Sequence, residues 1–142
     1  MKVCDIMTGK VITIAPAEPV SAAAKLLGRY NIGALPVVDG HRGLRGIVTD
    51  RDIVTRCVAL ESDPRQTAVA EIMSRGVVTA TPFEEVSAAA RAMSADRVRR
   101  LPVLDEGRVV GMVSLADLAR DCNCDMEAAE ALTEISGNLQ RK

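Results

Sequence analysis

The sequence predicts an α+β protein made of two β-α-β-β-α units related by pseudo-twofold symmetry. Three observations point there. Short β-branched strands alternate with alanine-rich helical stretches. Residues of the AVILMFWYC set make up 48% of the 142, enough apolar surface to build a core. Above all, the chain repeats itself. Asp5-Ile6-Met7-Thr8 returns as Glu71-Ile72-Met73-Ser74, and Val20-Ser21-Ala22-Ala23-Ala24 returns unchanged as Val86-Ser87-Ala88-Ala89-Ala90, each 66 residues on. Leu35-Pro36-Val37-Val38-Asp39 matches Leu101-Pro102-Val103-Leu104-Asp105 at the same offset. Gly46-Ile47-Val48-Thr49 matches Gly111-Met112-Val113-Ser114 at 65, one residue having been lost in the intervening turn. Four blocks in one order, with a single gap placed in a loop, identify a duplication.

Within the first repeat, Val11–Ile14 is β-branched and reads as a strand, stopped by Pro16 and Pro19. A helix follows over 20–30, where Val20, Ala23, Ala24 and Leu27 recur at helical spacing on one narrow face. Residues 35–38 and 44–49 read as strands around Asp39-Gly40-His41-Arg42-Gly43, which carries hairpin turn chemistry. A helix over 50–60 closes the unit, with Ile53, Val54, Cys57 and Val58 on one side. The second repeat runs strand 77–80, helix 85–95, strands 101–104 and 108–113 around the shorter turn Asp105-Glu106-Gly107, and helix 115–121. The expected organisation is a first unit over 1–60, a polar linker over 61–68 around Ser62-Asp63-Pro64, a second unit over 69–121 and a tail over 122–142. In the tail, Met126, Ala129, Leu132 and Leu139 recur at helical intervals and predict a helix that Gly137 ends early. A unit of about 60 residues buries too little surface to stand comfortably alone. The two units are therefore expected to pack on one another and leave a cleft.

Composition narrows the function. Lys and Arg number 18 against 19 Asp and Glu, a net charge of −1 that argues against a general polyanion binder. Tyr30 and Phe83 are the only aromatics, too few for a stacking platform on single-stranded nucleic acid. No apolar run approaches the roughly 20 residues of a bilayer span, and the first twenty residues show no signal-peptide core. A cytoplasmic protein with reduced thiols is expected, acting on neither nucleic acid nor membrane. There is no nucleophile elbow, P-loop or metal-binding helix, and the single histidine, His41, sits in a turn without an evident partner. No enzyme is expected. A zinc site would need His41 and three of the scattered Cys4, Cys57, Cys122 and Cys124, while Cys122-x-Cys124 alone leaves a metal site incomplete.

The informative positions are the matched turns Thr49-Asp50-Arg51-Asp52 and Ser114-Leu115-Ala116-Asp117. Each ends a strand, opens a helix, and sets a hydroxyl three residues ahead of a carboxylate. Two readings stay open on this spacing. The hydroxyl and the helix N-terminus can donate to a phosphate while the acceptor-only carboxylate holds both hydroxyls of a ribose. Equally, a hydroxyl followed three residues later by an acid caps its own helix and needs no ligand. The repeats also differ: Arg97, Arg99 and Arg100 stand where the first unit has Asn31, Gly33 and Ala34. Guanidiniums suit phosphate because their fork donates two bonds at once; the alternative is a solvated basic turn.

The order Ile-Met-Thr, β-branched strand, Ala-rich helix, Leu-Pro-Val-Val-Asp and Gly-Ile-Val-Thr-x-x-Asp, present twice, resembles the CBS (cystathionine-β-synthase) domain. Over residues 3–121 the chain is similar to a CBS pair, or Bateman module. The resemblance implies a regulatory module whose inter-unit cleft takes adenine nucleotides (AMP, ADP or ATP), with S-adenosylmethionine or a dinucleotide as other possible occupants. It requires no cofactor beyond that ligand. It further implies a homodimer that acts on an unidentified regulated protein. By the same resemblance Thr49 with Asp52 and Ser114 with Asp117 contact phosphate and ribose. Ile32, Gly33 and Ala34 before Pro36, and Val98, Arg99 and Arg100 before Pro102, contact the base. Ile12 closes the pocket of Asp117 and Val78 that of Asp52. The alternatives are a dimerisation or interaction scaffold in which these turns only cap helices, and a thiol or metal sensor built on Cys122 and Cys124.

Overall fold

The computed structural model describes residues 1–120. The predicted tail helix and Cys122 and Cys124 lie outside them. Among the described residues no helix is long and apolar enough to cross a membrane. The α+β class holds: two two-stranded antiparallel sheets with helices. The chain divides into two compact units whose boundaries are displaced from those of the repeats. Among the described residues the first comprises Ile12–Val77 with Gly107–Val109; the second comprises Met1–Val11, Val78–Glu106 and residues 110–120.

In the first unit, helix α2 (Val20–Tyr30) buries Val20, Ala23 and Leu27 of the face that the spacing predicts and leaves its fourth member, Ala24, exposed at the edge of that narrow stripe. It ends at Asn31, whose left-handed backbone (φ 51°) is the helix-terminating conformation that asparagine tolerates well. Strand β1 (Ala34–Val38) is buried throughout and pairs antiparallel with β2 (Leu44–Thr49), Ala34 lying opposite Thr49. The expected strand over 11–14 is reduced to a single parallel bridge: Ile14 donates to the Pro36 carbonyl at 3.1 Å and its own carbonyl accepts from Val38 at 2.9 Å. Pro16 and Pro19 stop the pairing there. The helix expected over 50–60 is α-helical only over α3 (Asp50–Ile53) and widens into a π turn over Val54–Val58. That extra residue per turn breaks the single apolar face: Cys57 is buried whereas Val54 and Val58 are exposed.

Residues 61–68 are more than a tether. Proline at the cap of α2 leaves its first N–H groups without side-chain partners. The carbonyls of Thr67 and Pro64 accept from Val20 and Ser21 at 2.8 and 2.9 Å. Helix α4 (Val69–Ile72) then adds Val69, Ile72 and Met73 to the core formed by Ile14, Leu35, Val37 and Val48, and Ser74 pairs antiparallel with Ile47 along the outer edge of β2.

The second unit repeats this plan with exchanged parts. Its lead-in helix is α1 (Val3–Ile6), from the beginning of the chain, and Thr8 pairs antiparallel with Met112. Helix α5 (Val86–Asp96) buries Val86, Ala89, Ala90 and Met93, and its first N–H donates to the Met1 carbonyl at 3.0 Å. Strand β3 (Arg100–Asp105) pairs with β4 (Arg108–Ser114), Ala80 makes the single parallel bridge to Val103 in place of the expected strand 77–80, and helix α6 (Leu115–Arg120) follows. Each lead-in helix thus packs on the body of the other repeat.

Gly46 and Gly111 explain part of the repeated sequence. The Met73-Ser74 and Met7-Thr8 backbones cross these glycines closely, so that a Cβ on Gly46 would stand 2.7 Å from the Ser74 carbonyl oxygen. The Ile-Met-Thr block and the glycine beginning Gly-Ile-Val-Thr are two sides of one contact.

Candidate functional site

Two strand-to-helix corners hold the residues singled out by the sequence. In the first unit β2 ends in extended geometry at Thr49 (φ −118°, ψ 164°). The Asp52 N–H donates to Thr49 Oγ1 at 3.0 Å, and the Thr49 N–H donates to Asp52 Oδ2 at 3.0 Å. Asp50 N–H donates to the Gly33 carbonyl at 3.2 Å, which ties the segment before Leu35-Pro36 to the corner. Ile32 is exposed, Gly33 half-buried, and Ala34 and Pro36 buried. Ile12 is half-buried against the core of this same unit.

The second unit repeats the geometry. Ser114 N–H donates to Asp117 Oδ2 at 2.8 Å, Asp117 N–H donates to Ser114 Oγ at 3.1 Å, and Leu115 N–H donates to the Arg99 carbonyl at 2.7 Å. Around this corner Val98 and Arg100 are half-buried, Arg99 exposed and Pro102 buried, while Val78 packs against the core. Ile12 lies in the unit that holds Asp52, and Val78 in the unit that holds Asp117.

Both turns are therefore reciprocal helix caps, an arrangement worth about 1 kcal/mol each. Capping does not account for their burial. Asp5 and Glu71 accept the Lys2 and Ala68 N–H groups at 2.8 and 2.6 Å in the same back-bonding role, and both are exposed. Asp52 and Asp117 are 7% and 6% exposed, and among the described residues they are the buried charged side chains. A carboxylate taken out of water costs free energy that a cap does not require.

The residues completing each site escaped the sequence reading. The Ser74 hydroxyl donates to both Asp52 oxygens at 3.3 and 3.4 Å, and the Arg56 guanidinium lies 3.7 Å from Oδ1. Asp117 Oδ1 instead accepts from Arg120 of its own helix. Arg56 and Arg120 lie four and three residues after their acids, a helical spacing that could have flagged both. Ser74 was visible as the end of a repeated block, but its partner was not. A separate groove of about 580 Å³ in the first unit runs between residues 13–15 and the Ala22, Lys25, Leu26 and Arg29 flank of α2; none of the corner residues lines it. Among the described residues no group of three or more His, Cys, Asp or Glu is placed to hold a metal.

Comparison with known proteins agrees with this architecture. The chain is 40% identical over 132 residues to the CBS domain-containing protein YhcV of Bacillus subtilis, covering 93% of each. It is 34% identical to hypoxic response protein 1 of Mycobacterium tuberculosis, covering 82% of this chain and 81% of that one. The structure of Hypoxic Response Protein I with two coordinated zinc ions superposes with a TM-score of 0.80, at 33% identity, over 86% of this chain and 99% of that chain. The CBS domain pair of protein MJ0100, in complex with 5′-methylthioadenosine and S-adenosyl-L-methionine, superposes at 0.74 with 38% identity over 84% and 94% of the two chains. The CBS domain model itself matches twice, over residues 3–59 and 69–123. The chain belongs to the CBS-domain family as a tandem pair, a regulatory ligand-binding module.

Proposed function

We propose that this module senses adenosine-containing ligands, adenine nucleotides first among them, through Asp52 and Asp117. The burial of two acids whose capping duty does not need it carries the reading. Each carboxylate offers about four lone-pair sites. The Thr49 and Ser114 N–H groups take one apiece, and Arg120 and the long bonds of Ser74 take others, so the vicinal hydroxyls of a ribose take the remaining acceptors and those that Ser74 holds weakly. Ile32, Gly33, Ala34 and Pro36 supply the apolar and backbone surface for a base beside Asp52. Val98 and Pro102 do so beside Asp117. Arg99 and Arg100 favour a phosphorylated ligand at the second corner. The MJ0100 pair, with its two adenosine-containing ligands, supports this class and keeps S-adenosylmethionine beside AMP, ADP and ATP. A cytoplasmic homodimer that reports occupancy to a separate regulated protein completes the proposal.

Calorimetric titration with AMP, ATP, S-adenosylmethionine and methylthioadenosine tests it. Asp52→Asn and Asp117→Asn should each weaken one site by about 10- to 100-fold, the worth of a charged hydrogen-bond acceptor, and together abolish binding. A wild-type protein that takes up none of the four at millimolar concentration would favour the scaffold reading. The reciprocal caps at both corners are the observation on that reading's side.

A further inference from the structure

The surroundings of Asp52 do more than neutralise it. Its neighbour Ser74 belongs to the second repeat in sequence yet to the first unit in space. Ser74 pairs with Ile47 through both backbone bonds, at 2.8 and 2.9 Å. Arg56 Nη1 donates to the Ile72 carbonyl at 3.0 Å, and to the Met73 carbonyl and Ser74 Oγ at 3.4 Å each, capping the C-terminus of α4. Three residues beyond Ser74 the chain leaves the first unit, at Val77, after Gly76 in the left-handed region (φ 66°). The Asp117 corner is built otherwise: its carboxylate takes Arg120 from its own helix.

We propose that Ser74 and Arg56 form a relay by which ligand occupancy of Asp52, and not of Asp117, loosens the Met73–Val77 exit from the first unit. This rests on the adenosine reading above. The hydroxyl bonds from Ser74 are long, 3.3 and 3.4 Å, and so are the ones a ribose hydroxyl at 2.7 to 2.8 Å displaces first. Losing them leaves Ser74 held by its backbone pairing and by Arg56. A bound ligand then biases the segment directly joined to the other unit, a differential interaction of the kind a switch needs. Ser74 and Arg56 act here as positioning residues.

The test is residue-resolved amide exchange by NMR on the full chain with and without saturating AMP, in wild type, Ser74→Ala, Ser74→Thr, Arg56→Gln and Asp117→Asn. In wild type, AMP should speed exchange of the Ile47 and Ser74 amides by roughly threefold to tenfold, the worth of one net hydrogen bond. Ser74→Ala should exchange fast in both conditions, its AMP response lost, while Ser74→Thr restores the response. Arg56→Gln should exaggerate it, and Asp117→Asn should leave it unchanged. If AMP binds and these amides do not respond, or if Ser74→Ala responds like wild type, the relay is wrong while the adenosine reading stands. If AMP does not bind, whichever of ATP, S-adenosylmethionine and methylthioadenosine does bind takes its place in the same series, and if none of the four binds the wild type both fall together.

Discussion

The Thr49–Asp52 and Ser114–Asp117 corners share one backbone plan and differ in what holds the carboxylate. In both, strand, hydroxyl cap, buried acid and the carbonyl before Leu-Pro occupy the same positions. Beyond the backbone the two part: each acid has an arginine about one turn along, Arg56 and Arg120, but Asp52 also faces Ser74 from another element while Asp117 accepts directly from its arginine. Duplication has preserved what chain geometry dictates and left the partners of the charge free to diverge. Changes to the shared plan should therefore have equal effects at both corners, and changes to the divergent surroundings unequal ones.

The largest inequality is expected at the two crossing glycines. A methyl on Gly46 meets the Ser74 carbonyl oxygen at 2.7 Å, and backbone in a paired edge cannot yield cheaply. A methyl on Gly111 meets first the Met7 Sδ at 2.5 Å, the flexible end of a side chain, with the Thr8 carbonyl oxygen farther away at 3.0 Å. Gly46→Ala should cost about 3 kcal/mol and Gly111→Ala about 1 kcal/mol, the two ends of the overpacking range. Urea unfolding of both variants checks this, and equal losses would mean that the two crossings are mechanically alike.

Next in size are the caps, where equality is the expectation. Thr49→Ala and Ser114→Ala each remove one reciprocal bond and should each cost about 1 kcal/mol. A loss well above about 2 kcal/mol at one corner alone would show that its hydroxyl carries a further structural duty.

The legibility of this molecule follows the same division. Helix α2 was readable in its extent because Val20, Ala23 and Leu27 carry its period, although Ala24 of the expected face lies exposed, and the sheets because β-branched runs flank turn chemistry. Both hydroxyl–acid pairs were readable as repeated spacing, though whether they cap or bind was not: the same atoms serve both, and burial of the acid is a property of packing. The exchange of α1 and α4 was hidden because a repeat offset records kinship in sequence and is silent on which body a short helix covers. The π turn over Val54–Val58 was hidden too, since its apolar residues fit a helical period that the backbone does not follow.

A smaller effect is expected at the ends of α2 and α5. The backbone turns left-handed at each, at Asn31 with φ 51° and Arg97 with φ 55°. Asparagine tolerates that region, and arginine has no local hydrogen bond to offset its steric cost. Arg97→Gly should stabilise the protein by about 1 kcal/mol and Asn31→Gly by less than half of that. If Arg97 also meets a phosphate, the same variant should weaken ATP more than methylthioadenosine, which carries none.

The smallest contrast is in pH dependence, because the two α2-type helices are held at their starts by different chemistry. The first N–H groups of α2 rest on the neutral carbonyls of Thr67 and Pro64. The start of α5 rests on Met1 and on an ion pair in which Lys2 Nζ donates to Glu85 Oε1 at 2.5 Å. The hydrogen bond and charge of Lys2 hold the Glu85 carboxyl below its usual range, and Glu85 raises Lys2 by the same contact. A lowered acid contributes stability that is present above its unfolded value, roughly 4.3, and is lost as pH falls through the lower folded one. The raised lysine contributes below its unfolded value, roughly 10.4, and loses that contribution as pH climbs through the higher folded one. The tether is thus intact across the neutral range and opens at both extremes. On acidification the Val3 and Val86 amides should shift with a midpoint below that of an ordinary glutamate, and Glu85→Gln should abolish the shift, while Val20 and Ser21 do not follow it. An NMR titration reads all four amides in one series. A midpoint at the ordinary glutamate value would show that the Lys2–Glu85 pair does not persist in solution.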